Sequence, residues 1–257
     1  MTSTRTTKQW QALDTQRHLH PFTDFNSYAK KPGRIISRAE HIYIYDTDGT
    51  EFLDAMSGLW CCSLGYSQPE IAAAVNAQFQ QLPYYNNFFQ CSNEPAVELA
   101  DRLVKMAPEQ FTHVFFTNSG SEANDTNIRL IRRYWDLKNQ PKKRIILART
   151  NAYHGSTIAA ASLGGFSSVH DQFETLPYVQ HIADPNWYNS GGDMTADEFG
   201  IAAARELEKR VDELGEENVA AFIAEPIQGA GGVIVPPDSY WPEVSRILKE
   251  RDILFVS

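Results

Sequence analysis

The spacing of apolar and polar residues divides this sequence into two parts. In residues 1–66 the apolar positions are scattered among turn-forming residues, apart from two alternating runs, 42–45 and 51–54, which are joined through an Asp-Gly pair. Alternation around Asp-Gly is typical of a β-hairpin. In residues 67–257 apolar residues instead recur at helical spacing or stand in short uninterrupted runs. We therefore predict an N-terminal segment with a hairpin, 1–66, followed by a large α/β domain, 67–257.

Helix starts in the second part are predicted from capping boxes. Ser67 with Glu70, and Thr195 with Glu198, have the S/T-x-x-E spacing in which each residue bonds the other's backbone N–H. Apolar residues at helical spacing follow both pairs. A further helix is predicted over 93–106.

Four short apolar runs separated by helical segments predict a mostly parallel sheet covered by helices on both faces. The runs are residues 113–117, 145–148, 219–224 and 253–256. The connection 164–194 is irregular and longer than usual, which favours a functional or interface loop. Ligands of such sheets bind beyond the carboxyl ends of the strands. Functional side chains are therefore expected directly after these runs.

Composition narrows the classes of partner. A net charge of −9 and a pI near 5.3 argue against non-specific binding to nucleic acid or anionic membranes. The sequence has no apolar run of about 20 residues and no apolar stretch at its start, so we expect a cytoplasmic protein with neither membrane span nor secretory signal. Its three cysteines, Cys61, Cys62 and Cys91, lack metal-binding spacing and suit a reducing compartment. Neither a metal site nor a disulfide framework is predicted, and small molecules are the favoured partners.

The first candidate site is Asn118-Ser119-Gly120-Ser121-Glu122, between a predicted strand and a helix. Small residues, free N–H groups and the helix dipole at such a position can hold a phosphate. An ordinary capped turn has the same composition and, taken alone, is the commoner outcome. The segment matches neither of the glycine-rich motifs for nucleoside triphosphates and dinucleotides.

The next two strand ends also carry unusual residues. Tyr153-His154-Gly155 combines a ring that could lie on a planar cofactor with a glycine that permits close approach, although a buried Tyr–His pair is the commoner arrangement. Glu225, after the third of the four runs, is followed by a glycine-rich segment, residues 228–232. A carboxylate there needs a partner, so Glu225 either organises a site or forms a structural ion pair.

Three of these segments, taken in order, resemble the class III (fold-type I) pyridoxal-phosphate (PLP) aminotransferases, in their ω-amino acid or amine:pyruvate branch. The matching segments are Asn118-Ser-Gly-Ser-Glu-Ala, Tyr153-His-Gly-Ser-Thr and Ala224-Glu-Pro-Ile-Gln-Gly-Ala-Gly-Gly. Two further segments also match, His20-Pro21-Phe22-Thr23 and Ser57-Gly58-Leu59-Trp60-Cys61. Each motif is weak by itself, but three at consecutive strand ends are jointly specific.

The resemblance implies a cofactor and a set of site residues. The cofactor is pyridoxal 5'-phosphate, held by Ser119, Gly120, Ser121, Tyr153, His154 and Glu225. The implied substrate-pocket residues are Phe22, Trp60, Phe88 and Ala230, with Phe88 reaching the neighbouring subunit of a homodimer. Without the resemblance, Trp60 and Phe88 would be taken for core residues. Residues 1–66 correspond to the start of the family's smaller α+β domain.

The family's Schiff-base lysine has no counterpart in this sequence. In the family, an aspartate follows the strand that matches 253–256, and the lysine lies further on; both positions fall beyond Ser257. We therefore expect a truncated chain without catalytic residues, inactive by itself, whose intact parent moves an amino group from an amine or ω-amino acid to an α-keto acid such as pyruvate. Two alternatives stay open: a non-catalytic PLP- or phosphate-binding remnant or pseudo-subunit, and another PLP reaction on the same scaffold. The amine donor and the stereoselectivity are not specified.

Overall fold

The computed structural model describes residues 5–257. By its internal contacts the chain divides into two compact units, one ending at Thr112 and the other beginning at His113. This grouping places the helices between residues 67 and 112 in the first unit. The division of the chain at residue 66 stays a prediction.

The first unit combines a small sheet with five helical segments. The elements are α1 (Thr7–Arg17), α2 (Phe25–Lys30), β1 (Ile36–Glu40), β2 (Tyr43–Asp46), β3 (Glu51–Leu53), α3 (Ser57–Trp60), α4 (Pro69–Gln81) and α5 (Glu94–Met106). Strands β1, β2 and β3 pair in that order, all antiparallel. This confirms the predicted hairpin, which is β2–β3, whereas β1 was not predicted because its sequence, Ile-Ser-Arg-Ala-Glu, is mostly polar.

The described part of the first unit contains no buried residue. The apolar side chains that predicted α4, among them Ile71, Val75 and Phe79, are all exposed. The periodicity thus identified a helix correctly, but the face that it marks is not covered within this chain.

The second unit alternates strands and helices. Its elements are α6 (Gly120–Leu137), β4 (Ile145–Arg149), α7 (Ile158–Leu163), α8 (Ser167–His170), β5 (Val179–Ile182), α9 (Trp187–Ser190), α10 (Ala196–Leu214), a 3₁₀ turn (Glu216–Asn218), β6 (Val219–Ile223), α11 (Tyr240–Glu250) and β7 (Leu254–Val256). The strands form one parallel sheet in the order β5-β4-β6-β7. The predicted parallel α/β architecture is confirmed.

Two strand predictions were wrong. Residues 113–117 form no strand and belong to neither sheet. An apolar run becomes a strand only where a neighbouring strand is hydrogen-bonded to it. Conversely, β5 lies inside the connection predicted to be irregular. Only its two ends, Val179 and Ile182, are buried, so its sequence lacks the continuous apolar run of a central strand.

Helices cover both faces of the sheet. On one face Leu147 and Phe222 pack with residues of α10 and α11, such as Leu207. On the other, Ile146 packs with residues of α6 and α7, such as Trp135. Neighbouring residues of a strand point to opposite faces, so one apolar strand supplies both cores.

None of the helices in residues 5–257 is long and apolar enough to cross a membrane. The three cysteines are free thiols.

Candidate functional site

The first part of the candidate site is the N-terminus of α6. Ser119 caps this helix, its Oγ accepting a hydrogen bond from the N–H of Glu122 at 3.2 Å. The Glu122 carboxylate in turn accepts from the N–H of Asn118 at 2.9 Å. The capped-turn interpretation therefore describes Ser119 and Glu122 correctly.

The next two N–H groups of this turn are unused. Within the described chain, the N–H groups of Gly120 and Ser121 form no hydrogen bond. They lie at the positive end of the dipole of an 18-residue helix. A Cβ placed on Gly120 would meet no atom within 4 Å, so the space beside this turn is open. The α6 terminus thus offers unpaired donors and room for an anion.

The segment after β4 closes tightly on this turn. Ser121 Oγ accepts a hydrogen bond from the N–H of Ser156 at 2.9 Å. Gly155 has a φ of +129°, and a Cβ there would lie 2.4 Å from Ser121 Oγ and 2.8 Å from the Cβ of Ala160. Only glycine fits between these atoms, so this contact between α6 and the β4 end depends on Gly155.

Glu225, directly after β6, holds the same segment from its other end. One carboxylate oxygen accepts from the N–H of Tyr153 at 3.0 Å, and the other accepts from the N–H of Gly229 at 2.9 Å. In the described chain Glu225 takes part in no ion pair. Its carboxylate therefore fixes the backbone beside the half-exposed ring of Tyr153, as the organising alternative requires, and is not a structural ion-pair partner here.

His154 is the buried member of this segment. Asn124 of α6 donates from Nδ2 to the His154 carbonyl at 2.8 Å, while the ring Nε2 is buried without a partner. Burial, followed by the charges of Arg149 and His181, lowers the pKa of His154 to about 4. The imidazole is therefore neutral at physiological pH.

Two residues at this site, Arg149 and Asn124, had not been singled out from the sequence. Arg149 ends β4 and is fully buried, with Nη2 donating to the backbone carbonyl of Glu225, while Nε and Nη1 are buried without a partner. An arginine that ends an apolar strand run could have indicated it, since a buried charge needs a reason. Asn124 lies one helical turn after Gly120, on the same side of α6, and that spacing could have indicated it.

The low pKa of His154 makes stability depend on pH. The pKa of about 4 lies below the ordinary value of 6.5, so the stabilisation is complete above pH 6.5 and is lost as the pH falls towards 4. The free energy of unfolding should therefore fall less between pH 7 and pH 4 in His154→Leu than in the unsubstituted protein. The expected difference is up to about 3 kcal/mol, at 1.36 kcal/mol per pKa unit. Urea unfolding between pH 7 and pH 4 measures it, with His41→Leu, at an exposed position, as control. Equal pH dependence in all three proteins would contradict the assignment.

The predicted pocket residues are distributed over both units. Phe22, Trp60 and Phe88 lie in the first unit and are 86%, 65% and 71% exposed, so none of them is a core residue of the chain. Trp60 ends α3, whose residues Ser57 to Trp60 all have positive φ. Ala230 is exposed in the second unit, in the loop that an antiparallel bridge between Gln228 and Ile234 closes. The structure thus brings together Ser119, Gly120, Ser121, Tyr153, His154 and Glu225, all in the second unit.

The Aminotransferase class-III family model matches residues 26–257. The putrescine–pyruvate aminotransferase of Pseudomonas aeruginosa is 55% identical over 252 residues, which are 98% of this chain and 55% of that protein. The chloroplastic gamma aminobutyrate transaminase 3 of Solanum lycopersicum is 42% identical over 93% of this chain and 46% of its own length. The chain spans about half the length of the curated relatives it matches.

Solved structures agree with the sequence matches. An (S)-enantioselective ω-transaminase from Thermomicrobium roseum superposes with a TM-score of 0.95 and 36% identity, covering 98% of this chain and 57% of that one. The ω-transaminase of Pseudomonas jessenii in complex with PMP superposes with a TM-score of 0.92 and 40% identity, covering 95% of this chain and 55% of that one.

Proposed function

The chain belongs to the class III aminotransferase family, and from this premise we propose that it supplies the cofactor-binding part of a PLP-dependent aminotransferase. The reaction moves an amino group from an amine or ω-amino acid to an α-keto acid such as pyruvate. The observation that carries the proposal is the pair of unused N–H groups at the start of α6, next to a segment that Glu225 holds in place.

The residues of the second unit fit PLP. A phosphate needs several convergent donors and a positive local field, and the α6 terminus provides both. A flat pyridine ring needs an open, firmly held aromatic neighbour, and Tyr153 is half exposed on a backbone fixed by Glu225. When bound, PLP supplies an electron sink through which an amino group can be exchanged between two substrates.

Each site residue has a distinct role in this proposal. The N–H groups of Gly120 and Ser121 and the Ser121 hydroxyl bind the phosphate. Ser119 keeps the helix start in place through its cap. The Tyr153 ring packs on the cofactor, while neutral His154 supports that segment without adding charge.

The substrate pocket is proposed to include Phe22, Trp60, Phe88 and Ala230. The left-handed turn that ends at Trp60 is fastened by Asp54, whose carboxylate accepts from the N–H of Gly58 at 2.8 Å and from the hydroxyl of Tyr66 at 2.6 Å. Because hydrogen bonds hold this turn in place and the Trp60 indole is exposed, the turn is suited to discriminating between substrate side chains. The name of the Pseudomonas aeruginosa relative specifies putrescine and pyruvate, which agrees with a donor carrying a terminal amine.

Assembly and location complete the proposal. We infer a homodimer, since the apolar faces of α4 and α5 are exposed in the chain and a second subunit would cover such surface. A cytoplasmic location suits its three free thiols.

A second candidate function concerns the 257 residues by themselves. No lysine of the chain follows a strand of the parallel sheet, so these residues alone fit a PLP-binding chain better than a complete catalyst. An amine:pyruvate assay on the protein expressed from its complete gene decides between the two. Alanine formation that depends on added amine supports the aminotransferase, whereas PLP binding without turnover supports the binding chain.

Ser121→Ala is expected to weaken PLP retention in the protein expressed from its complete gene. The hydroxyl can donate one hydrogen bond to a charged phosphate, which contributes roughly 1.5–3 kcal/mol, or about a 10- to 150-fold change in affinity. Absorbance titration with PLP measures the effect. Ser168→Ala, at an exposed position of α8, is the control; equal affinities in all three proteins would show that Ser121 does not contact the phosphate.

A further inference from the structure

A cluster of possible metal ligands lies in the first unit, and none of its residues is among those proposed to bind PLP. It consists of Asp14, His18 and His20, and the ligand atoms of all three lie within 4.8 Å of one another. Asp14 Oδ1 is 3.0 Å from His18 Nδ1, and Asp14 Oδ2 is 2.9 Å from His20 Nε2. The cluster therefore already has the dimensions of a small coordination site.

The end of α1 brings these residues together. Asp14 and His18 are four positions apart, so they share one face of the helix. The chain leaves the helix at His18 in an extended conformation, and His20 then turns back to the same carboxylate. The two imidazole rings lie 4.2 Å apart, centroid to centroid. Three residues with the spacing D-x-x-x-H-x-H in the sequence therefore form a single cluster.

We propose that Asp14, His18 and His20 bind one divalent transition-metal cation, for which zinc is the best match. Two imidazoles and one carboxylate form a common zinc ligand set, with a fourth position left for water. Ligand bonds of 2.0–2.1 Å in a tetrahedral site place neighbouring ligand atoms about 3.3 Å apart. The nitrogen–oxygen separations here are 3.0 Å from His18 to Oδ1 and 2.9 Å from His20 to Oδ2, so one imidazole lies beside each carboxylate oxygen. The His18 side chain is 63% exposed, so it has room for the small adjustment that is needed.

Tyr28 supports the carboxylate from outside the cluster. Its hydroxyl donates to Asp14 Oδ2, and its ring lies 4.8 Å from that of His20. This hydrogen bond orients the carboxylate, and such outer partners typically matter to metal affinity.

The competing explanation is that the three side chains only hydrogen-bond to one another and thereby stabilise the C-terminal end of α1. A carboxylate that accepts from two imidazoles and a phenol already has its hydrogen bonds, and this arrangement needs no metal. The two explanations differ in what happens when zinc is added. A metal site binds one equivalent of zinc through these side chains, whereas a purely hydrogen-bonded cluster binds none.

The test uses the tag-free 257-residue chain with Cys61, Cys62 and Cys91 changed to Ser, so that no thiol competes for metal. Titration calorimetry with zinc chloride is expected to show one site with micromolar or tighter affinity. His18→Ala and His20→Ala should each weaken it at least about tenfold, and Tyr28→Phe by about 10- to 100-fold. His41→Ala, at an exposed histidine of the same unit, should leave it unchanged, and far-ultraviolet circular dichroism confirms that each variant is folded.

Two outcomes would overturn the proposal. The first is no saturable zinc binding by the thiol-free chain. The second is binding that keeps its affinity in His18→Ala, His20→Ala and Tyr28→Phe. Because His18 is exposed and Tyr28→Phe removes one hydroxyl only, at least these two variants are expected to fold and to decide the question.

Discussion

Mixed with PLP, an amine and pyruvate, the 257-residue chain is expected to produce alanine no faster than free PLP does. Aminotransfer on PLP needs a protein amine that would bond to the cofactor and would carry a proton between the substrate carbon that bears the amino group and a carbon of the cofactor. That amine must lie at the carboxyl ends of the sheet strands, where Ser121, Tyr153 and Glu225 are. None of the five lysines of the second unit is placed there, and none of the four in the first unit follows a strand of this sheet.

The expected lack of activity rests on where the nine lysines lie. They are residues 8, 30, 31, 105, 138, 142, 143, 209 and 249, which lie in helices or in the connections after α2 and before β4. Lys143 is the one that most resembles a reactive lysine, because it is buried and burial lowers its pKa. Its Nζ, however, donates to the carbonyl of Asp252 at 2.6 Å, just before β7. It is thus held at the amino ends of the strands, the edge opposite to the site.

Borohydride reduction followed by peptide mass spectrometry tests the same point directly. We expect scattered, sub-stoichiometric PLP adducts and no single modified lysine. The putrescine–pyruvate aminotransferase of Pseudomonas aeruginosa, assayed in parallel, is the positive control for turnover. A unique lysine adduct together with pyruvate-dependent turnover would show that the site is wrongly assigned on this sequence.

The sequence predicted helix starts well where one signal acted alone. Thr195 and Glu198 form the expected capping box, and Gly215 ends α10 with a φ of +82°. Ser67 and Glu70 do not form one, since Pro69 occupies the first helical position and makes Gln68 the N-cap. Proline strongly favours that position, and this preference outweighed the capping pattern. Ser67 donates instead to the carbonyl of Ala39, 28 residues earlier.

The positions of Tyr153 and Glu225 were predictable because each follows a strand of the parallel sheet, whereas Ser119, Gly120 and Ser121 follow a run that forms no strand. In an alternating α/β sequence, knowing where β4 and β6 end is enough to place Tyr153 and Glu225 at one edge of the sheet. Which partner each side chain takes was not predictable, because that depends on contacts between distant segments. Glu225 could equally have formed an ion pair. Nothing in the sequence indicates that the N–H groups of Tyr153 and Gly229 would donate to its carboxylate instead.

Replacing Gly155 by alanine is expected to damage both stability and cofactor binding. The new Cβ would lie 2.4 Å from Ser121 Oγ and 2.8 Å from the Cβ of Ala160, on a backbone with a φ of +129°. Strain at such a φ costs about 1–3 kcal/mol, and forcing atoms into a packed contact costs about 1–3 kcal/mol more. We therefore expect a total loss of roughly 2–6 kcal/mol in the free energy of unfolding, measured by urea denaturation.

The same clash has a consequence for PLP. Relieving this clash requires Ser121 Oγ to move, and that movement would disturb the 2.9 Å hydrogen bond from the N–H of Ser156 that joins the α6 turn to the β4 end. Since the phosphate is proposed to bind at that turn, PLP retention should fall in Gly155→Ala more than stability alone explains. Gly192→Ala is the control, because Gly192 also has a positive φ, +55°, but a Cβ there meets no atom within 4 Å, and the residue lies outside the proposed site. An unfolding midpoint equal to that of Gly192→Ala would show that the contact between α6 and the β4 end does not depend on Gly155. The phosphate site proposed at their junction would then lose its structural basis.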